Sequence, residues 1–307
     1  MIYSIGHKSP DLDSVAAAIA LADLKNKIEG KSEYVPAVAG ELNKETEFIL
    51  EKFGFSAPEQ LSTLSGQKVF LVDHNEESQR LDGFSEAEII GVIDHHKINF
   101  KCERPIEFKN LPWGSTCTIL ARQYLSKKIK LDKNLAGLML AAVLVDTVIT
   151  KSPTCTEIDQ EIIAQLSKIA GIKDWRAFGM EIFKVRGAVS EMSAEQIVKN
   201  DFKDFEFKAG KFGIGQVETV DLGDFITKEP AIMAELAKLQ ATGNYHSVVL
   251  FITDILKEGS KFLVATTDEA AMEKALGGKF PMGKIYIDGI MSRKKQVVPM
   301  ISEVFDK

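Results

Sequence analysis

The amino-acid sequence predicts an α/β protein of two domains: a parallel sheet with helices on both faces, followed by a smaller α/β domain. Three observations carry that expectation. In the first half, short runs rich in valine and isoleucine alternate with segments of helical period, the order that builds a parallel sheet covered on both faces. Past about residue 200 the pattern changes to paired strands and shorter helices. Several apolar runs also end in aspartate or histidine, at the carboxyl ends of strands where open α/β sheets gather their ligands.

Taken in order, "IYSI", "EYVPAVA", "KVFLVDH" and "EIIGVIDHH" read as short buried strands with polar ends. "DSVAAAIALADLKNKI" and "NKETEFILEKFGF" read as helices between them, with Ser14 or Asp13 expected as the cap of the first. "STCTILARQYLSKKI", "KNLAGLMLAAVLVDTVI" and "EIDQEIIAQLSKIAG" follow as helices, the second so apolar that it belongs in the core. "DWRAFGMEIFKVRGAV" and "SAEQIVKND" extend the helical region. "FEFKAGKFGIGQVETVD" reads as a hairpin turning at Ala209-Gly210. "PAIMAELAKLQA" and "EAAMEKAL" are expected as helices, and "SVVLFITDIL" and "KFLVATT" as strands. These elements divide the chain into domains 1–188 and 189–307.

The bulk properties narrow the function class. A chain of 307 residues suffices for two domains, and 45% hydrophobic with 27% charged residues is the composition of a soluble globular protein. No apolar run has the length of a membrane span, and "MIYSIGH" lacks the basic start and apolar core of a signal peptide. Cys102, Cys117 and Cys155 are odd in number and form no CxxC, which fits a reducing cytoplasm better than a disulfide framework. The net charge of −6 argues against a general nucleic-acid binder and leaves room for a basic pocket.

The chemistry concentrates in four places. "GHKSPDLDS" carries His7, Asp11 and Asp13; "FLVDHNE" carries Asp73 and His74; "GVIDHHK" carries Asp94, His95 and His96; "AVLVDT" carries Asp146. Four of the five histidines fall in these stretches, and only His246 lies outside. Alone, Asp11 and Asp13 suit a turn and a helix cap, and a single "DHH" suits a polar strand end. Together they form a mixed imidazole and carboxylate set, which suits Mn, Co, Fe or Zn better than Ca. His7, Asp11, Asp13, Asp73, His95 and Asp146 are six candidates. That is too many for one catalytic ion with open positions and right for two ions about 3.5–4 Å apart sharing a carboxylate, with an activated water between them. In the second domain, "SRKKQ" sets Arg293, Lys294 and Lys295 in a row, and "KNDFKDF" offers Lys199 and Lys203. An isolated basic run is ordinarily a solvated loop, but beside a centre that awaits a polyanion it has a use as a clamp.

With these residues the chain resembles the DHH phosphoesterase superfamily: "GHKSPDLDS", "VDHNE", "IDHH" and "VDT" match its motifs in order and spacing. "KSPTCT", "GIGQVETVD" and "SRKKQVVP" narrow the resemblance to the family II, manganese-dependent inorganic pyrophosphatases, over both domains. The resemblance implies hydrolysis of inorganic pyrophosphate to two phosphates by a hydroxide bridging two Mn²⁺, in a cleft between the domains. Co²⁺ would be a possible substitute, and a further Mg²⁺ or Mn²⁺ would arrive with the substrate. His7 and Asp11 then look like ligands of the first ion, Asp13, His95 and Asp146 like ligands of the second, and Asp73 like the bridge. His96 looks like a substrate contact and proton donor, and Lys203, Arg293 and Lys294 like the groups that bind the attacked phosphate. A homodimer through the first domain is also implied.

Two absences sharpen this. The "GGGH" motif of the nuclease branch has no counterpart, since "GGKFPMG" lacks a histidine. Asp73 and Asp94 stand too close for the CBS insert of regulated members. The rival activity is that of an exopolyphosphatase of the same superfamily, and a rival of another class is a pyrophosphate- or nucleotide-binding sensor without turnover.

Overall fold

Six parallel strands frame the first half of the chain: β1 (Ile2–Ile5), β2 (Tyr34–Val38), β3 (Glu59–Gln60), β4 (Lys68–Val72), β5 (Glu88–Asp94) and β6 (Glu107–Asn110), in the order β3-β2-β1-β4-β5-β6. The order reverses between β1 and β4, and at such a switch point the loops beyond the strand ends diverge and leave a crevice. The computed structural model describes residues 1–186 and 192–306. It divides into two units, Met1–Val185 and Arg186–Lys307. The expected division after residue 188 lies outside the described residues.

The helices of the first unit are α1 (Leu12–Glu29), α2 (Lys44–Lys52), α3 (Thr116–Ser126), α4 (Lys133–Asp146), α5 (Glu157–Ala170) and α6 (Trp175–Arg186). In α1, Ala16, Ala17, Ala18 and Ala20 are fully buried, and α4 is buried along nearly its whole length. Small residues let α1 approach the sheet and α4 closely, so one apolar core joins Val72 and Ile93 of the sheet to these helices. The opposite sheet face is also covered, but by apolar loop residues such as Leu61, Leu64, Leu81 and Phe84 and by short 3-10 turns rather than by long helices. The cap of α1 is Asp11, which accepts the N–H of Ser14, in place of the expected Asp13 or Ser14. β3 and β6 escaped the sequence reading because, as polar edge strands, they carry no apolar alternation.

The second unit holds β7 (Phe202–Phe207), β8 (Gly210–Thr219), β9 (Ser247–Asp254), β10 (Gly259–Thr266) and β11 (Lys284–Asp288), in the order β11-β10-β9-β8-β7. β8 and β9 pair parallel and the other neighbours antiparallel. The β7–β8 hairpin turns at Lys208-Ala209, one residue before the expected place. Helices α7 (Ala194–Lys199), α8 (Glu229–Thr242), α9 (Glu269–Leu276) and α10 (Val298–Phe305) complete this unit. Ile232 and Leu236 of α8 pack on one sheet face, and Met272 of α9 and Ile301 of α10 on the other.

Candidate metal centre

The parallel register sets the ends of β1, β4 and β5 side by side: Ile5 pairs with Leu71, and Val72 with Ile93. Two residues past Ile5 stands His7, and the residue after Val72 is Asp73. Asp73 has φ 60°, a left-handed turn that swings the chain sharply off the end of β4; aspartate tolerates it better than most residues. Asp11 and Asp13 come from the start of α1, and Asp146 is the last residue of α4.

These side chains converge in three groups whose ligand atoms lie within 4.8 Å of one another: His7, Asp11 and Asp73; Asp13, Asp73, His95 and Asp146; and Asp73, His95 and His96. His7 Nε2 stands 3.5 Å from an oxygen of Asp11 and 3.5 Å from Asp73 Oδ2. His95 Nε2 stands 3.4 Å from Asp73 Oδ1 and 3.7 Å from Asp146 Oδ2. All six expected ligands are therefore in one cluster, with Asp73 common to every group.

Hydrogen bonds to the surrounding chain fix these ligands. His95 Nδ1–H donates to the Trp113 carbonyl at 3.0 Å, which turns Nε2 toward the carboxylates as the atom that could ligate once deprotonated. Asp13 accepts from Ser115 Oγ at 2.7 Å, Thr116 N at 2.7 Å and Cys117 N at 3.0 Å, the opening turn of α3. Thr116 Oγ1 donates to Asp73 Oδ1 at 2.9 Å. Asp94, the first residue of "DHH", belongs to none of the ligand groups. Its Oδ1 accepts from His95 N, His96 N and His96 Nδ1, and Asn75 donates to Oδ2. Asn75, Ser115 and Thr116 were not singled out from the sequence, and Asp94 was named there without a task of its own. A helix-start signature at "GST" beside the other motifs was the available signal. His74 is buried and its Nδ1–H donates to the Val72 carbonyl at 2.8 Å, a support for the β4 turn.

The electrostatics are those of an anionic pocket. Burial raises the Asp13 carboxyl to about 6, with the Asp73 charge adding to it. Burial, and then the charges of Asp13, Asp11 and Asp73, raise Asp146 well above the ordinary value. Burial would lower His7 and His95, but bonds to the adjoining carboxylates outweigh it and raise each to about 10. Burial likewise pushes Asp73 up, and its bonds to His7 and His95 prevail and lower it. The bond to Asp94 raises His96, whereas burial lowers His74 to about 4. Without a cation, protons on His7 and His95 offset part of the charge of the four carboxylates, and the raised pKa of Asp146 favours its neutral form.

The donor set fits manganese: imidazole nitrogens and carboxylate oxygens in one compact group. The buried Asp73 Oδ2 accepts no well-formed hydrogen bond among the described residues, with His7 Nε2 3.5 Å away, an under-satisfied acceptor that a cation would satisfy.

In the second unit, Lys203, Arg293 and Lys294 line one pocket of about 360 Å³ together with Gln216 and Ser292. Lys203 and Lys294 are exposed, while Arg293 is buried. Its guanidinium donates to both oxygens of Asp201 at 2.8 Å and to the carbonyls of Asp201 and Ile214. A π turn, Arg293–Val297, leads into α10 and presents Arg293 and Lys294 at that pocket.

Fold and site together define a DHH-family protein: residues 1–143 match the DHH family N-terminal domain, and residues 180–304 match the DHHA2 domain. The chain is 44% identical over its whole length to a manganese-dependent inorganic pyrophosphatase of Methanothrix thermoacetophila, covering 99% of that protein. It is 36% identical to one from Bacillus subtilis, with 98% of each chain covered. A crystal structure from Methanococcus jannaschii, assigned to the family II inorganic pyrophosphatases, superposes with a TM-score of 0.69 at 41% identity, covering 100% of both chains. An exopolyphosphatase-related protein from Bacteroides fragilis shares the fold, with a TM-score of 0.51 at 12% identity over 99% of this chain and 91% of its own. The chain belongs to the family of manganese-dependent inorganic pyrophosphatases.

Proposed function

We propose that this chain hydrolyses inorganic pyrophosphate to two phosphates at a centre that holds two manganese ions. One observation carries the reading: a single buried carboxylate, Asp73, is shared between His7 with Asp11 on one side and Asp13, His95 and Asp146 on the other. His7 and Asp11 would hold one ion, Asp13, His95 and Asp146 the other, and Asp73 both. Bound manganese supplies positive charge for the phosphate oxygens and makes a water acidic enough to attack at neutral pH.

The chain's own groups do the rest. His96 lines a pocket of about 150 Å³ with His7 and Asp73, and its Nδ1 is tied to Asp94 at 2.9 Å. The Asp94 bond raises its pKa and so favours the protonated ring, which can deliver a proton from Nε2 to the departing phosphate. Lys203, Arg293 and Lys294 bind the attacked phosphate and neutralise its non-bridging oxygens as charge builds. Arg293, locked by Asp201, acts as a fixed positive wall, and the exposed Lys203 and Lys294 close on the substrate. Cobalt replaces manganese in the same donor set, and a further Mg²⁺ or Mn²⁺ accompanies the substrate. The protein works in the cytoplasm as a homodimer, without a regulatory CBS module or a nucleic-acid partner. The unpaired thiols of Cys102, Cys117 and Cys155 agree with a reducing compartment. Among the described residues no helix is long and apolar enough to cross a membrane.

The test is phosphate release from pyrophosphate and from long-chain polyphosphate, after the protein is stripped of metal and Mn, Co, Zn or Mg is restored in turn. Manganese should restore pyrophosphate hydrolysis most fully. Equal turnover of long polyphosphate would favour the exopolyphosphatase reading, and no turnover with any of the metals would leave a binding protein.

A further inference from the structure

We propose that Asp159, which belongs to none of the ligand groups, is a positioning residue for the metal centre. Through Gly114 it pins the loop 113–117 that in turn holds three of the ligands. The inference rests on the two-ion reading above and goes beyond it in assigning a task to the segment that follows "KSPTCT".

Asp159 lies in the first turn of α5 and is fully buried. There it completes a capping box with Thr156. A capping-box carboxylate serves its own helix. This one also serves a chain segment 45 residues away: Oδ2 accepts the N–H of Gly114 at 2.9 Å in addition to Thr156 N at 2.7 Å and Thr156 Oγ1 at 2.6 Å. Its Oδ1 accepts from Thr118 Oγ1 at 2.6 Å, inside α3. One carboxylate therefore fastens the start of α5, the start of α3 and the loop before it.

That loop is where the ligands are held. The Trp113 carbonyl fixes the His95 ring, Ser115, Thr116 and Cys117 bind both oxygens of Asp13, and Thr116 also donates to Asp73. Gly114, in the middle, is pressed between two walls. A Cβ there would meet Thr147 Cγ2 at 2.6 Å and Asp159 Oδ2 at 2.9 Å. Thr147 directly follows the ligand Asp146. Any shift of the loop away from Asp159 moves the Trp113 carbonyl and the α3 N-terminus together, and with them the partners of His95 and Asp13.

The experiment is equilibrium dialysis of the metal-stripped full chain against graded Mn²⁺, with unfolding temperature measured in parallel. Asp159→Ala removes the anchor, and Gly114→Ala keeps the Asp159 carboxylate but sets a Cβ against it and against Thr147, pushing the loop away. Both should weaken manganese binding by about 10–100-fold, the usual consequence of losing an outer partner of a metal ligand. Asn43→Ala, which removes the cap of α2, should lower the unfolding temperature and leave manganese affinity unchanged, separating a site effect from general destabilisation. Should Asp159→Ala fail to fold, Gly114→Ala decides alone. A folded variant at either position with native manganese affinity overturns the positioning role, provided that Asp13→Ala loses manganese in the same assay. If Asp13→Ala also keeps full manganese, the two-ion centre itself is refuted and this role with it.

Discussion

Asp73 offers the sharpest test of a shared centre. The substitution of choice is Asp73→Asn, because asparagine keeps the shape and tolerates the left-handed backbone at φ 60°, where alanine would add strain. Only the charge and one acceptor are lost. The size of the effect follows from the spacing. A cation held among ligand atoms that lie within 4.8 Å of one another stands no farther than that from the Asp73 carboxylate. At an effective dielectric of about 20, a unit charge at that distance contributes about 3 kcal/mol per unit of cation charge. Counting a single unit of charge for each ion, manganese affinity should fall by at least about two powers of ten. The fall should occur at both positions, since Asp73 belongs to both ligand groups. Asp146→Asn touches one group and should release one ion. The assay is manganese per chain after dialysis at fixed free Mn²⁺, with circular dichroism to verify the fold. Full occupancy in Asp73→Asn, or a loss no greater than in Asp146→Asn, would refute the shared carboxylate.

Four further outcomes are expected. His7 and His95, each raised to about 10, carry protons at neutral pH in the metal-free protein and must lose them to ligate. Manganese uptake at pH 7 should then release at least about two protons per chain, and apparent affinity should weaken as pH falls below about 10; calorimetry in buffers of different ionisation heat reads this, and no proton release counts against both imidazoles. His96→Gln should retain manganese and lose about a hundredfold or more in kcat; a metal loss as severe as that of His95→Gln would mean the neighbours are misassigned. Lys294→Ala should lower kcat and kcat/KM together by about a hundredfold with manganese content unchanged. Arg293→Ala should do the same and also lower the unfolding temperature, because it strands Asp201 and two carbonyls, and activity near that of the native chain in either variant would reduce "SRKKQ" to a solvated basic loop.

The cluster of candidate ligands was legible because each of its residues sits in a local signal: a strand or helix end with aspartate or histidine where solvent-facing residues of any kind would serve. The strands that bear them were legible for the same reason, as short β-branched runs. What supports the ligands was not. Asn75, Thr116 and Asp159 act on residues that are distant in sequence, and no period or spacing reports such a contact. The cap of α1 was misjudged by two residues because Asp13, a good cap by type, is turned instead toward the start of α3. Lys203, Arg293 and Lys294 could be named from the sequence, yet not the bond that holds Arg293 to Asp201, which joins positions 92 residues apart. β11 and α10 were missed although Ile285 and Ile287 alternate in the one and Ile301 and Phe305 are buried in the other, because five and eight residues give too few repeats to stand out as a period.

Where local rules are broken, the breaks point at the centre. Asp11 and Asp13 stand at a helix N-terminus, where the positive end of the helix dipole favours a carboxylate. Asp146 stands at the C-terminus of α4, where it does not. The next residues compound the cost, for Val148, Ile149 and Thr150 take φ of 49°, 51° and 69°, a left-handed run of β-branched residues that costs on the order of 1–2 kcal/mol per residue. In the metal-free surroundings burial and the charges of Asp13, Asp11 and Asp73 raise its pKa, outweighing the His95 ring 3.7 Å away. An aspartate placed against the dipole, beside three other carboxylates and before a strained turn, becomes favourable once a cation is bound next to it. On the two-ion reading, the stability of the loaded state would offset both the strain and the charge repulsion that accumulate at Asp146.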